Sequence, residues 1–182
     1  MSLLKLLSNY LPENSAEREN KIKMLNFLAN EPNCFERDCL KGHFTGSCWI
    51  ENFCGDSILL MHHRKYGDWL QLGGHADGDD DLLRVSLKEA YEESGLSVEP
   101  VNGDIFDIGV HLVPSYKDVP EHYHYDVRFY LKATKDGPYV INEESYNLRW
   151  VKFDEEDSLP NERDIKRMFR KWKALKAFPV FH

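Results

Sequence analysis

Apolar positions recur at helical spacing in several stretches of the chain and alternate with polar ones in others. Leu3, Leu4, Leu6, Leu7 and Leu11 predict a short amphipathic helix ended by Pro12. Asn14-Ser15-Ala16-Glu17 reads as a capping box, followed by Ile22, Met24, Leu25, Phe27 and Leu28 at helical spacing, with Asn30 and Pro32 as the stop. From His43 the texture changes. Residues 44–50 and 57–62 read as strands joined by a turn over 52–56, and residues 69–72 as a short strand running into Gly73-Gly74. A helix is expected over residues 80–94, with Gly95 placed as its left-handed C-terminal residue. Further strands are expected near 105–113, 124–133 and 148–153. A last helix should begin after Pro160-Asn161 and run to about Lys176, with Ile165, Met168, Phe169 and Trp172 as its apolar stripe. Strands and helices interspersed in this way make one mixed α/β domain over residues 42–182. The helical pair within residues 1–41 either packs on that domain or forms a homodimer contact.

Composition narrows the class. A chain of 182 residues can bury a substantial core, and a formal net charge of -8 argues against binding a nucleic-acid polymer, which needs a basic face. The apolar run Ile58-Leu59-Leu60-Met61 is far too short to span a membrane, and the N-terminus lacks the long apolar core of a signal peptide. Cys34, Cys39, Cys48 and Cys54 form no close pair of the kind that binds zinc or cycles redox state. They are read as reduced, mostly buried thiols of a cytoplasmic protein.

Candidate chemistry gathers at the central helix. Leu83, Leu87 and Ala90 share a narrow apolar face, while Glu89, Glu92 and Glu93 form a separate arc at spacing i, i+3, i+4. Carboxylates at a helix C-terminus oppose the macrodipole, and Glu89 and Glu93 repel each other. Three neighbouring carboxylates are the hard oxygen ligands that Mg²⁺ prefers, and a bound ion would remove both penalties. Asp77, Asp79, Asp80 and Asp81 add negative charge in the preceding loop, and Gly73-Gly74 permits close approach of backbone to a ligand.

These residues resemble the box of the Nudix hydrolase family: Gly, five residues, Glu, seven residues, then Arg-Glu-hydrophobic-any-Glu-Glu-any-Gly-hydrophobic. Gly74 opens it, Asp80 stands at the first Glu position, and Lys88-Glu89-Ala90-Tyr91-Glu92-Glu93-Ser94-Gly95-Leu96 completes it, with Asp80 and Lys88 as the two departures. The likeness in element order extends over residues 42–176. It implies a Nudix-type α/β/α sandwich with a mixed sheet, here preceded by the N-terminal helical pair. It also implies Mg²⁺-dependent hydrolysis, with Mn²⁺ as a substitute, of a phosphoanhydride in a nucleoside diphosphate linked to another moiety, such as a nucleotide sugar or ADP-ribose. Glu89, Glu92 and Glu93, with the carbonyl of Gly74, match the metal ligands. Glu92, Glu93 or Glu144 would serve as catalytic base. Two alternatives stay open: a housecleaning hydrolase of modified nucleoside triphosphates, and a catalytically silent module that senses a nucleotide.

In HYHYD, strand alternation places His122, His124 and Asp126 on one face, an arrangement a transition metal can use. Within the resemblance that strand flanks the substrate cleft, so His124 and Asp126 are candidate substrate contacts. His75 inside the box could donate to a phosphate oxygen. Trp69, Tyr66, Tyr116 and Tyr125 are candidates for stacking on a nucleobase.

Overall fold

The computed structural model describes residues 1–117, 119–159 and 163–177. Two helices come first, α1 (Leu3–Asn9) and α2 (Ser15–Asn30). Next are β1 (Gly42–Glu51), β2 (Ser57–His63), β3 (Trp69–Leu70) and β4 (Leu72–His75). After α3 (Leu82–Ser94) come β5 (Val98–Val113), β6 (His122–Ala133), β7 (Ser145–Lys152) and α4 (Arg163–Ala177). The strand expected near 105–113 therefore begins earlier, at Val98, because its N-terminal part pairs with the end of β6, as in Val98 with Ala133. Pro160 and Asn161, the expected start signals for α4, lie outside the described residues.

All seven strands join one mixed sheet with the central order β3-β2-β1-β6-β5. β1 runs parallel to β6 and antiparallel to β4, while β2 takes β7 as its other antiparallel neighbour. β1 and β2 share a single registered pair, Glu51 with Ile58, and then part. Every residue of β1 is buried, as expected of a central strand covered on both faces.

The even positions Phe44, Cys48 and Ile50 belong to a core that also takes in α1, α2 and α3. The odd position Trp49 joins Ile58, Leu60 and the α4 residues Ile165, Met168, Phe169 and Trp172 in a second core. The result is an α/β sandwich with helices on both faces of the sheet. The N-terminal helices are part of it: Leu3, Leu7 and Met24 are buried, and Phe27 stacks on Tyr125 at 4.1 Å between ring centroids. Half of the expected capping box forms: Asn14 accepts the Glu17 N–H at 3.0 Å, while the Glu17 carboxylate accepts the Glu13 N–H at 3.1 Å and not that of Asn14. Tyr125 is thereby covered by α2, which removes it from the stacking candidates. Cys34 and Cys48 are buried, but Cys54 is exposed in the turn between β1 and β2, and all four cysteines are free. Among the described residues, no helix is long and apolar enough to cross a membrane.

Candidate active site

Helix α3 is bounded by its own side chains. Asp81 caps its start by accepting the Arg84 N–H at 3.1 Å, and Gly95 ends it with φ 70°. It packs closely on β1 because Gly46 has no side chain, and a Cβ there would stand 2.7 Å from the Leu82 carbonyl oxygen. The buried face of the helix comprises Leu82, Val85, Ser86, Ala90, Glu93 and Ser94. Glu93 is therefore not on a solvated arc with Glu92, as the wheel suggests. It is 3% exposed, and its Oε2 accepts the Gly73 N–H at 2.8 Å. Glu89 approaches Gly74 so closely that a Cβ on that glycine would lie 2.5 Å from the Glu89 Cδ. The glycine pair thus admits two carboxylates to the end of β4. Glu92 is exposed beside them.

Burial pushes the Glu93 carboxyl up to about 8, with the negative charges of Glu89 and Glu144 adding to the effect and the Gly73 N–H opposing it. Burial likewise raises Glu89, against the pull of Lys88. Lys88 Nζ stands 3.5 Å from Glu89 and 3.6 Å from Glu92, so its point charge serves both. The donors are hard oxygens with a deficit of positive charge, which suits a divalent cation such as Mg²⁺.

The acidic loop finds other partners. Arg37 forks onto Asp77 at 2.8 and 2.7 Å, and Arg84 onto Asp79 at 2.7 and 2.5 Å. These arginines answer the charge that the sequence suggests a bound cation must balance. Asp80 is exposed and stands outside the cleft lining.

A cleft of about 1110 Å³ opens beside the glutamates. Gly74, His75, Glu89, Glu92, His124, Asp126 and Glu144 line it, with Arg37, Arg64, Lys65 and Tyr66 supplying positive charge and an aromatic ring. Glu144 is exposed on the segment entering β7, and its backbone carbonyl accepts the Arg64 N–H at 2.8 Å. Asp126 has both oxygens engaged: Oδ1 by the hydroxyls of Thr45 and Ser47 at 2.8 and 2.7 Å, Oδ2 by Arg128 and Gln71 at 2.6 and 3.2 Å. A carboxylate so fully engaged holds the floor of the cleft together. Trp69 is absent from the lining. Its ring instead stacks on His62 at 5.1 Å between ring centroids and lies under the Arg149 guanidinium at 4.9 Å.

Alternation puts His43, Thr45 and Ser47 of β1 on the cleft side, and parallel pairing sets His43 opposite His124. His43, which sequence reasoning missed, packs against His75 and His124 at 4.9 and 4.8 Å between ring centroids. The signal was the period-two run in β1; what was lacking was the identity of its neighbour strand. Burial lowers His43 and His75 to about 4 and His124 to about 2, so all three imidazoles are neutral at neutral pH.

Behind the floor, Arg128 is buried and bonds to Asp107, Asp126 and Asp164 at 2.7, 2.6 and 2.9 Å. Arg167 and Lys171 of α4 also reach Asp107, each at 2.7 Å. Arg128 is thus committed to structure and unavailable to a phosphate.

No family model matches the sequence. Among solved structures, the chain is similar to a Nudix-family hydrolase from Clostridium perfringens, at 25% identity and a TM-score of 0.58, covering 73% of this chain and 97% of that one. It shares its fold with an Ap4A hydrolase from C. elegans (15% identity, 74% and 97% covered, TM-score 0.55). A MutT protein from Methanosarcina mazei is similar in the same way (16% identity, 74% and 95% covered, TM-score 0.55).

Proposed function

This chain belongs to the Nudix hydrolases, in fold and in the spacing of its box, and from that premise we propose that it hydrolyses the phosphoanhydride of a nucleoside diphosphate linked to another moiety. The observation that carries this reading is the convergence of Glu89 and Glu93 on Gly73-Gly74 at the edge of the cleft.

Glu89, Glu92, Glu93 and the Gly74 carbonyl would hold Mg²⁺, or Mn²⁺ in its place. When bound, the ion would supply neutralising charge for the pyrophosphate and for the attacking water. The chain's own residues do the rest. Gly73 fixes Glu93 through its N–H, and Lys88 steadies Glu89 and Glu92. Arg64 and Lys65 at the rim receive phosphate oxygens, and His75 faces the substrate as a neutral donor. Glu144 takes the proton as water adds to phosphorus and the bridging P–O bond breaks, leaving two phosphate monoesters. Tyr66, exposed at the rim with Lys65 near its ring, replaces Trp69 as the surface for a base or sugar.

A screen of ADP-ribose, nucleotide sugars, dinucleoside polyphosphates and nucleoside triphosphates with Mg²⁺ tests this. Hydrolysis of a linked diphosphate, lost in Glu93→Gln and slowed in Glu144→Gln with little change in KM, is the expected result. Full activity in Glu93→Gln would refute the site. Turnover of triphosphates alone would give the housecleaning reading, and nucleotide binding without turnover the sensor.

A further inference from the structure

The histidines on the cleft floor make a second constellation, apart from the carboxylates of α3. His43 is 2% exposed, and neither of its ring nitrogens has a hydrogen-bond partner among the described residues. A buried polar side chain without partners costs about 1–3 kcal/mol, so its persistence calls for a ligand. Around it stand His75, His122 and His124, with ring centroids 4.9, 5.0 and 4.8 Å from its own. The coordinating nitrogens of His43, His75 and His124 all lie within 4.8 Å of one another.

We infer that His43, His75 and His124 form a binding site for a borderline transition-metal ion, with Zn²⁺ as the reference ion, separate from the glutamate cluster on α3. Three features select this class of ion. The donors are imidazole nitrogens, which suit zinc and its neighbours and are poor ligands for Mg²⁺. The three residues come from three strands of one sheet, β1, β4 and β6, so their spacing is fixed by the register and not by loop geometry. Three protein ligands with two of them, His75 and His124, lining the cleft leave a coordination position open to water or a phosphate oxygen, the arrangement of reactive zinc sites.

His122 supports the cluster. Its Nδ1 lies 2.8 Å from the Pro120 carbonyl, which fixes Nε2 as the nitrogen free to act. That Nε2 is 3.2 Å from the Nε2 of His124. A tetrahedral zinc ion with bonds near 2.05 Å sets its ligand nitrogens ~3.3 Å apart, so His122 already stands at the spacing of a neighbouring ligand. The three core nitrogens need to close by at most about 1.5 Å to reach the same spacing.

Strand alternation separates this site from the other. Gly74 turns toward Glu89 and α3, and His75, the next residue, turns to the opposite face of β4. Arg37, whose charge bears on His43 and His75, is neutralised by its fork onto Asp77.

The test uses the full chain and zinc alone. After metal removal, zinc titration is followed by calorimetry in millimolar Mg²⁺, which fills the glutamate site, and Co²⁺ is followed by its visible spectrum. One equivalent of zinc should bind with submicromolar affinity, and Co²⁺ should give the visible bands of a nitrogen-ligated four- or five-coordinate ion. His75→Ala and His124→Ala should each weaken binding by ~100-fold or more, and His122→Ala by ~10-fold, with circular dichroism confirming that each variant is folded. Glu93→Gln should bind zinc as wild type does, and that arm holds whether or not any phosphoanhydride is hydrolysed. Failure of the wild type to bind zinc in Mg²⁺, survival of binding in the folded His75 and His124 variants, or loss of binding in Glu93→Gln would each overturn the inference. Should those two variants not fold, a Co²⁺ spectrum of oxygen-ligated octahedral type in the wild type would do so.

Discussion

Glu93→Gln in the metal-free protein isolates the cost of placing a carboxylate under the box. The folded protein holds the Glu93 proton up to about pH 8, whereas an ordinary glutamate releases it near 4.5. Between those values the folded state carries a proton that the unfolded state has lost, so stability falls as pH rises through that window. The contribution is fully present below 4.5 and gone above 8. At ~1.36 kcal/mol per pH unit, the gap amounts to about 5 kcal/mol, a large share of the ~5–15 kcal/mol that a domain commonly has. Glutamine keeps the shape, can still accept the Gly73 N–H through its amide oxygen, and carries no charge to bury. Urea denaturation in EDTA at pH 5, 6.5 and 8.5 reads the effect. The variant should match the wild type near pH 4.5–5 and exceed it by up to about 5 kcal/mol at pH 8.5. Mg²⁺ should then stabilise the wild type more than the variant, which has lost one of the three carboxylates that would hold it. A stability difference that does not change with pH would refute the reasoning, because it would place the cost in packing and not in charge.

Gly74→Ala should leave the melting temperature within a few degrees but lower Mg²⁺ affinity and turnover ~10–100-fold, because the new Cβ displaces the flexible Glu89 carboxylate and no backbone. Asp107→Asn should cost about 3–5 kcal/mol in chemical denaturation, since it removes the fully buried negative charge that Arg128, Arg167 and Lys171 share and turns one acceptor oxygen into a donor. Those cations outweigh burial and hold the Asp107 carboxyl below its ordinary value, so its contribution persists above pH 4 and is lost in acid. A thiol reagent should modify Cys54 at once in the native protein and leave Cys34 and Cys48 untouched until unfolding, as peptide mapping would show.

How far the sequence was legible depended on the range of the interaction. Helix α3, its capping Asp81 and its terminal Gly95 follow from local chemistry, and the box spacing pointed to the fold that the solved structures share. The wheel misplaced Glu93, because it ranks residues by polarity and cannot foresee a backbone N–H waiting on β4. Trp69 read as a pocket aromatic for want of knowing that His62 and Arg149 would enclose it. His43 was passed over entirely. A period of two tells which residues share a face of one strand, but only the parallel pairing of β1 with β6, more than eighty residues later in the chain, sets His43 beside His124. The same limit hid the Arg37 fork onto Asp77, forty residues away.

The network behind the floor also constrains the order of assembly. Tyr10 and Glu17 of the N-terminal helices meet Lys171 of α4, and the Tyr10–Lys171 bond spans 161 residues of sequence. Asp107 sits between them on β5. During synthesis Tyr10 and Glu17 therefore go without Lys171 until α4 has been made, although the apolar faces of α1 and α2 pack on the sheet without it. Contacts so distant in sequence form slowly, because the loop must close before any of them is rewarded. The two halves of this network thus meet late, and loss of the α4 turns that carry Arg167 and Lys171 should register in α1 and α2, as faster cleavage by protease.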